Sequence, residues 1–82
     1  ELAYNLNYTE AQRNYEKGLE LAEKANDSFS KMKAYQGLSY VFNESGNFEL
    51  ALDNNQKAID IAKDLQDYQF LSEMHAYRGG LY

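Results

Sequence analysis

The chain has 82 residues, a net charge of -5 and no cysteine, which excludes a disulfide framework, a thiolate metal site and a cysteine nucleophile. Its 8 basic residues are scattered among 13 acidic ones, so nucleic-acid binding is not expected, because neutralising phosphates requires a basic patch. The longest apolar runs fall far below the roughly 20 residues that span a bilayer, so membrane insertion by this segment is not expected either.

The composition favours helices along the whole chain. Proline, the strongest helix breaker, is absent, and Leu, Ala, Glu, Lys and Gln are plentiful. We therefore predict an all-α fold. Because no membrane insertion is expected, we also predict a soluble protein and assign it to the cytoplasm. A single core in so short a chain is only marginally stable unless something extends it, so we expect this segment to be a fragment of a larger protein.

The first predicted element is a helix over 7–26, and residues 1–5 could hold a remnant of an earlier one. Apolar residues recur along 7–26 at spacings of three and four, which is the period of a helix with one apolar face. They are Tyr8, Ala11, Tyr15, Leu19, Ala22 and Ala25. We expect this stripe to face the core.

The second predicted helix covers 29–44. Its apolar stripe consists of Met32, Tyr35, Leu38, Val41 and Phe42. The helix is predicted to stop at Ser45-Gly46, because glycine readily adopts the left-handed conformation that ends helices.

The third predicted helix covers 47–66, and a fourth covers 69–82. Asn47 is the expected cap of the third helix, since its side chain can accept from the free amides of the first turn. The apolar face of the third helix carries Phe48, Ala51, Leu52, Asn55, Ala58, Ile59, Ala62 and Leu65.

An internal repeat runs through these helices. Residues 17–22 align with 57–62, and Asp27 aligns with Asp67, at an offset of 40 residues. Beyond this point the sequence at 34–37 aligns with that at 76–79, at an offset of 42. We therefore predict that two residues have been inserted in the connection at 68–70.

The pattern at the helix crossings resembles the tetratricopeptide repeat, in which large residues of one helix pack against small residues of the next. The matching positions are Tyr35, Leu38, Phe42, Gly46, Phe48, Ala51 and Ala58. The resemblance covers nearly the whole chain and implies antiparallel helix-turn-helix repeats stacked as an α-α superhelix, here a solenoid fragment. Three features depart from the family pattern: Ser39 replaces a smaller residue, Asn55 replaces an aromatic one, and no proline follows the second helix of the repeat.

The resemblance also implies a division of the segment. Residues 7–26 would be the second helix of one repeat, 29–66 a complete repeat and 69–82 the first helix of the next. The period of 40 to 42 residues resembles the long-helix variant of the family, since the usual period is about 34. A HEAT-type helical repeat has a similar length, but the turn in which Gly46 is closely followed by the aromatic Phe48 argues against it.

In tetratricopeptide repeats the first helices line a concave groove, so the resemblance implies a protein-protein interaction scaffold that binds a peptide or protein segment there. The candidate groove residues are Lys33, Gln36, Tyr40, Asn43, Glu44, His75, Arg78 and Tyr82. A polar helix face is usually only solvated, but an exposed aromatic residue such as Tyr40 is more typical of a contact surface.

A second interpretation is a structural or sensory arm of a larger signalling protein, such as a histidine kinase, a diguanylate cyclase or a peptide-sensing transcriptional regulator. Catalysis is not expected, because His75 and Glu73 have no nucleophile or second base near them in the sequence. No catalytic residue, cofactor or metal is predicted. Apolar faces at the ends of the stack should also permit self-association.

Overall fold

The computed structural model describes residues 2–73, with side chains from residue 8 onward. This part of the chain forms three complete helices: α1 (Leu2–Lys24), α2 (Ser28–Glu44) and α3 (Phe48–Leu65). A fourth helix, α4, begins at residue 68 and is described as far as residue 73. Every element within 2–73 is helical, which confirms the predicted all-α class.

The helix bounds correct the predictions in two places. α1 is continuous from Leu2, so the predicted start at residue 7 and the separate remnant at 1–5 are wrong. The first glycine is Gly18 and proline is absent, so neither helix-breaking residue interrupts the early turns. Residues 68–70 belong to α4 and do not form a connection, so the predicted location of the two-residue insertion is wrong. Most of the helix predicted over 69–82 lies outside the described residues.

Short turns join consecutive helices and make them antiparallel neighbours. Each turn contains one residue in the left-handed region, namely Asn26 at φ +54°, Gly46 at φ +88° and Gln66 at φ +58°. The N–H of the following residue then donates to a carbonyl of the preceding helix, which satisfies a group that the helix end would leave unpaired. The donor and acceptor pairs are Asp27 with Ala22 (2.9 Å), Asn47 with Phe42 (2.8 Å) and Asp67 with Ala62 (3.0 Å).

Aspartates cap α2 and α4. Asp27 accepts through one carboxylate oxygen from the Ser30 N–H at 3.1 Å and through the other from the Ser30 hydroxyl at 2.7 Å. Asp67 accepts from the Phe70 N–H at 3.0 Å. Asn47 makes no side-chain cap bond to α3, so the predicted capping role of its side chain is wrong; its amide donates to the Ser45 hydroxyl at 3.3 Å instead.

The cap of α2 gives an acid-dependent contribution to stability. Hydrogen bonds from the hydroxyl and the N–H of Ser30 hold the pKa of Asp27 below its ordinary value of 3.8. A carboxyl with a lowered folded-state pKa stabilises the fold fully above the unfolded-state pKa, and this contribution is lost as the pH falls through the folded-state pKa. We expect Asp27→Asn, which keeps a cap acceptor, to reduce the loss of stability below pH 3.8, measured by urea unfolding.

In an NMR titration Ser30→Ala should raise the Asp27 pKa, and an unchanged pKa would contradict this account.

The core lies on both sides of α2. This helix packs against α3 and against α1, whereas α1 and α3 do not contact each other within the described residues. One cluster joins α2, α3 and α4 through Met32, Ala58, Ile59, Ala62 and Phe70. A second cluster consists of Leu38, Phe42 and Ala51, with Leu19 of α1 packed against it. Large side chains of α2 thus meet alanines of α3, so the two helices can approach closely.

The two positions that depart from the family pattern are both fully buried in the structure. Ser39 is compatible with a close crossing, because its hydroxyl donates to the Ala51 carbonyl at 2.9 Å. The side-chain amide of Asn55 has no hydrogen-bond partner among the described residues. A buried amide without a partner lowers stability relative to an apolar side chain of similar shape. Asn55 is therefore expected to destabilise the described core.

Candidate partner-binding groove

The row of polar residues predicted on the second helix lies along one side of α2. Lys33, Tyr40 and Glu44 are exposed, and Gln36 and Asn43 are half-buried. Their spacing of three and four residues places them on one face, since an α-helix turns once every 3.6 residues. Tyr40 is 55% exposed, so most of its ring is accessible to a partner.

Part of this row borders a shallow cavity of about 360 Å³. Its lining consists of Tyr15, Lys33, Gln36, Gly37 and Tyr40. We call these five residues the α2 groove. Two aromatic rings, an amide and an ammonium group therefore border one depression, a combination that suits a peptide with apolar side chains and a polar backbone.

Tyr15 and Gly37 are the two groove residues that the sequence did not predict, and Tyr15 is the one that contributes a side chain. It belongs to the apolar stripe expected in the core, yet 39% of it is exposed, so that expectation is wrong for this residue. Its ring lies against Gly37, where any Cβ would overlap with it. The signal in the sequence is Gly37 itself, because a glycine inside a helix can mark the close approach of a neighbouring group.

Lys33 connects the groove to α4. Its Nζ lies 5.6 Å from the centroid of the Phe70 ring, within range of a cation-π contact. Phe70 is in turn buried against α2 and α3. The ammonium group of Lys33 is therefore held at the edge of the groove instead of extending freely into solvent.

Two further predicted groove residues within the described part of the chain do not line the cavity. Asn43 and Glu44 lie in the last turn of α2, beyond Tyr40. His75, Arg78 and Tyr82 lie outside the described residues, so their placement in a groove stays a prediction. The α2 part of the candidate site is thus centred on the middle turns of this helix.

A larger cavity of about 530 Å³ lies between α1 and α2, next to the α2 groove. The sequence did not predict this cavity, because Ala25 and Tyr15 belong to the stripe expected to face the core and Phe29 belongs to no predicted surface. The lining includes Tyr15, Gly18, Leu21, Ala22, Ala25, Phe29 and Lys33. Leu21 is 57% exposed and Phe29 is also exposed, so this surface is largely apolar and open.

Two further properties bear on possible functions. Among residues 2–73 no helix combines the length and the apolar content required of a membrane span. The same part of the chain contains no group of three or more His, Asp or Glu side chains close enough to hold a metal ion.

Antiparallel helices joined by short turns, each packed on its neighbour in sequence, define a helical-repeat protein. The model of the tetratricopeptide repeat family matches residues 2–64, and the chain belongs to this family. No curated protein and no solved structure matches the chain. Members of the tetratricopeptide repeat family generally mediate protein-protein interactions.

Proposed function

We propose that this chain is a scaffold that binds a peptide or protein segment in the α2 groove. The observation that carries the proposal is Tyr40, which is 55% exposed beside the cavity that Tyr15, Lys33 and Gln36 border. Exposed aromatic residues at the edge of a cavity are typical anchors of protein interfaces, because they supply contact area with few rotatable bonds. The division into the second helix of one repeat (α1), a complete repeat (α2 and α3) and the first helix of the next repeat (α4) is part of this proposal.

The chemistry of the α2 groove defines the kind of segment that would bind. The Gln36 amide can both donate to and accept from a peptide backbone. The rings of Tyr15 and Tyr40 offer apolar contact area, and each hydroxyl supplies a polar group. Among the residues that the structure describes, Lys33 is the one cation that lines the cavity, in a chain with a net charge of -5. We therefore expect apolar or weakly basic segments to bind better than phosphorylated ones.

Removing the aromatic anchor should weaken binding strongly. We expect Tyr40→Ala to reduce affinity by about 2 kcal/mol, or roughly thirtyfold, because truncating a central aromatic residue removes its buried contact area. The probe is a peptide selected on the immobilised chain from a displayed random library, with its Kd measured by fluorescence anisotropy. Gln36→Ala should cause a smaller loss of about 0.5 to 1.5 kcal/mol.

The matched control is Tyr68→Ala, since Tyr68 is an exposed tyrosine at the start of α4 and does not line the groove. Thermal unfolding of each variant must accompany the binding data, so that lost affinity is not mistaken for lost structure. Equal weakening by Tyr40→Ala and Tyr68→Ala would exclude the α2 groove as the site. If neither variant changed binding, or no peptide were selected at all, the structural or sensory arm would become the better interpretation.

A further inference from the structure

Two charges of opposite sign lie at the ends of the α2 groove. Lys33 lines the cavity on the side nearer the start of α2, and Glu44 lies in the last turn of the same helix, beyond Tyr40. Both charged side chains are exposed. Because they are about three helical turns apart, they lie on the same face of α2 as Tyr40.

Neither charge is neutralised within the part of the chain that the structure describes. The ion pairs found there join Lys24 to Glu20 and Lys57 to Asp53. The Nζ of Lys33 lies over the Phe70 ring instead, a contact that leaves its charge without a counterion. Both ends of the α2 groove can therefore attract a charge of opposite sign on a bound segment.

Two acidic residues on neighbouring surfaces do not change this polarity. Asp27 lines the larger cavity that Lys33 also borders, but both of its carboxylate oxygens accept hydrogen bonds from Ser30 at the start of α2. Glu73 follows Phe70 by about one turn on α4 and does not line the α2 groove. The positive charge on the cavity wall is therefore that of Lys33.

The middle of the α2 groove is aromatic and uncharged. Tyr15 and Tyr40 both line it, and the rings of both are partly exposed. On α1 the residues one turn away from Tyr15 on the same face are Ala11 and Gly18, which carry no charge. Aromatic rings favour edge-to-face or offset contacts with one another, so an aromatic side chain of a bound segment fits between the two charged ends.

Gln36 indicates that the bound segment is extended. Its amide borders the same cavity and can both donate and accept a hydrogen bond. The backbone N–H and C=O groups of an extended segment are free to pair with it, whereas those inside a helix are already paired. Lys33 and Glu44 are about 16 Å apart along α2, a length that about five residues of an extended chain span.

We propose that the α2 groove binds an extended segment of a partner protein that carries an acidic residue at one end, a basic residue about five positions away and an aromatic residue between them. The acidic residue lies beside Lys33, and the basic residue lies beside Glu44. Such a segment has no net charge, in agreement with the expected discrimination against phosphorylated segments. This inference rests on the proposed function of the α2 groove.

The test uses four labelled peptides with a central phenylalanine among alanine and serine residues. Three carry two charged residues five positions apart: one glutamate and one lysine, two glutamates, or two lysines. The fourth carries the glutamate and the lysine only two positions apart. We expect the first peptide to bind the 82-residue chain about three- to tenfold more tightly than the other three, by fluorescence anisotropy at low salt. High salt should reduce this preference, because exposed charges are screened.

Charge reversal on the chain should change which peptide binds best. Lys33→Glu leaves two acidic ends, so the peptide with two lysines should become the tightest ligand. Glu44→Lys leaves two basic ends, so the peptide with two glutamates should become the tightest. The matched control is Lys17→Glu, which alters the net charge as Lys33→Glu does but changes an exposed residue of α1 that does not line the α2 groove. The control should keep the original preference. Circular dichroism must show each variant folded.

Equal binding of the four peptides, or an unchanged preference in folded Lys33→Glu, would overturn the inference. A shift of preference in Lys17→Glu as large as that in Lys33→Glu would also overturn it, since net charge would then explain the result. In each of these cases weaker binding of every peptide by Tyr40→Ala would still support the α2 groove as the binding site. If none of the peptides bound and none were selected from the random library, both the inference and the proposed function would be wrong.

Discussion

Met32→Ala is expected to lower the free energy of unfolding by about 2 to 5 kcal/mol, the usual cost of truncating a fully buried methionine. Met32 is completely buried and belongs to the cluster with Ile59 of α3 and Phe70 of α4, so its own helix and two others contribute to its surroundings. The neighbouring helices can fill only part of the resulting cavity, because the short turns between consecutive helices limit how far each helix can move. For a chain of 82 residues this loss is a large fraction of the total stability.

The measurement is urea unfolding followed by circular dichroism, with Leu21→Ala as the control. Leu21 is a comparably large apolar residue that is mostly exposed, so its truncation should change stability by no more than about 0.5 kcal/mol. Comparable losses in the two variants would mean that Met32 does not lie in a core. A change in the slope of the unfolding curve would instead indicate an altered denatured state.

Ala58→Leu should destabilise the chain by about 1 to 3 kcal/mol, because a larger side chain cannot fit where α2 and α3 cross. Ala58 is fully buried and shares a cluster with Met32 of α2 and with Ile59 and Ala62 of α3. A fully buried position leaves little room for added atoms, so the two helices would have to separate. Thermal unfolding monitored at a low protein concentration measures this effect.

Gly18→Leu is the matched control, since Gly18 occupies the corresponding position on α1. The same leucine there meets open space and replaces a poor helix former, so we expect it to raise stability by up to about 1 kcal/mol. The two substitutions should therefore have opposite signs. If both destabilised the chain equally, the close packing of α2 on α3 would not be the reason for the loss.

Much of the fold could be predicted from periodicity and small residues. The alanine and glycine pattern indicated where helices cross, and Gly46 indicated where α2 ends, because both depend on local steric requirements. The end of α1 was also close to the prediction. Its beginning was not, because the apolar stripe was traced only from Tyr8 onward, although neither glycine nor proline interrupts the preceding residues.

The candidate groove was less predictable than the fold. The row through Gln36 and Tyr40 followed from helical spacing, but the contribution of Tyr15 did not. A tyrosine on an apolar stripe can turn inward or lie along the edge of a helix pair, and the choice depends on how much room the facing helix leaves. Gly37 leaves that room, so the position of Tyr15 is decided by a residue 22 positions away in the sequence.

The arrangement of α2 between α1 and α3, which do not contact each other within the described residues, has a consequence for folding. All packing between these three helices joins elements that are adjacent in the sequence, so the chain closes only short loops as it folds, which favours rapid folding. Stability in such an arrangement is approximately a sum of terms for each helix and each interface between neighbours. α2 takes part in both interfaces, so loss of its structure uncouples α1 from α3, whereas fraying of α1 leaves the pairing of α2 with α3 intact.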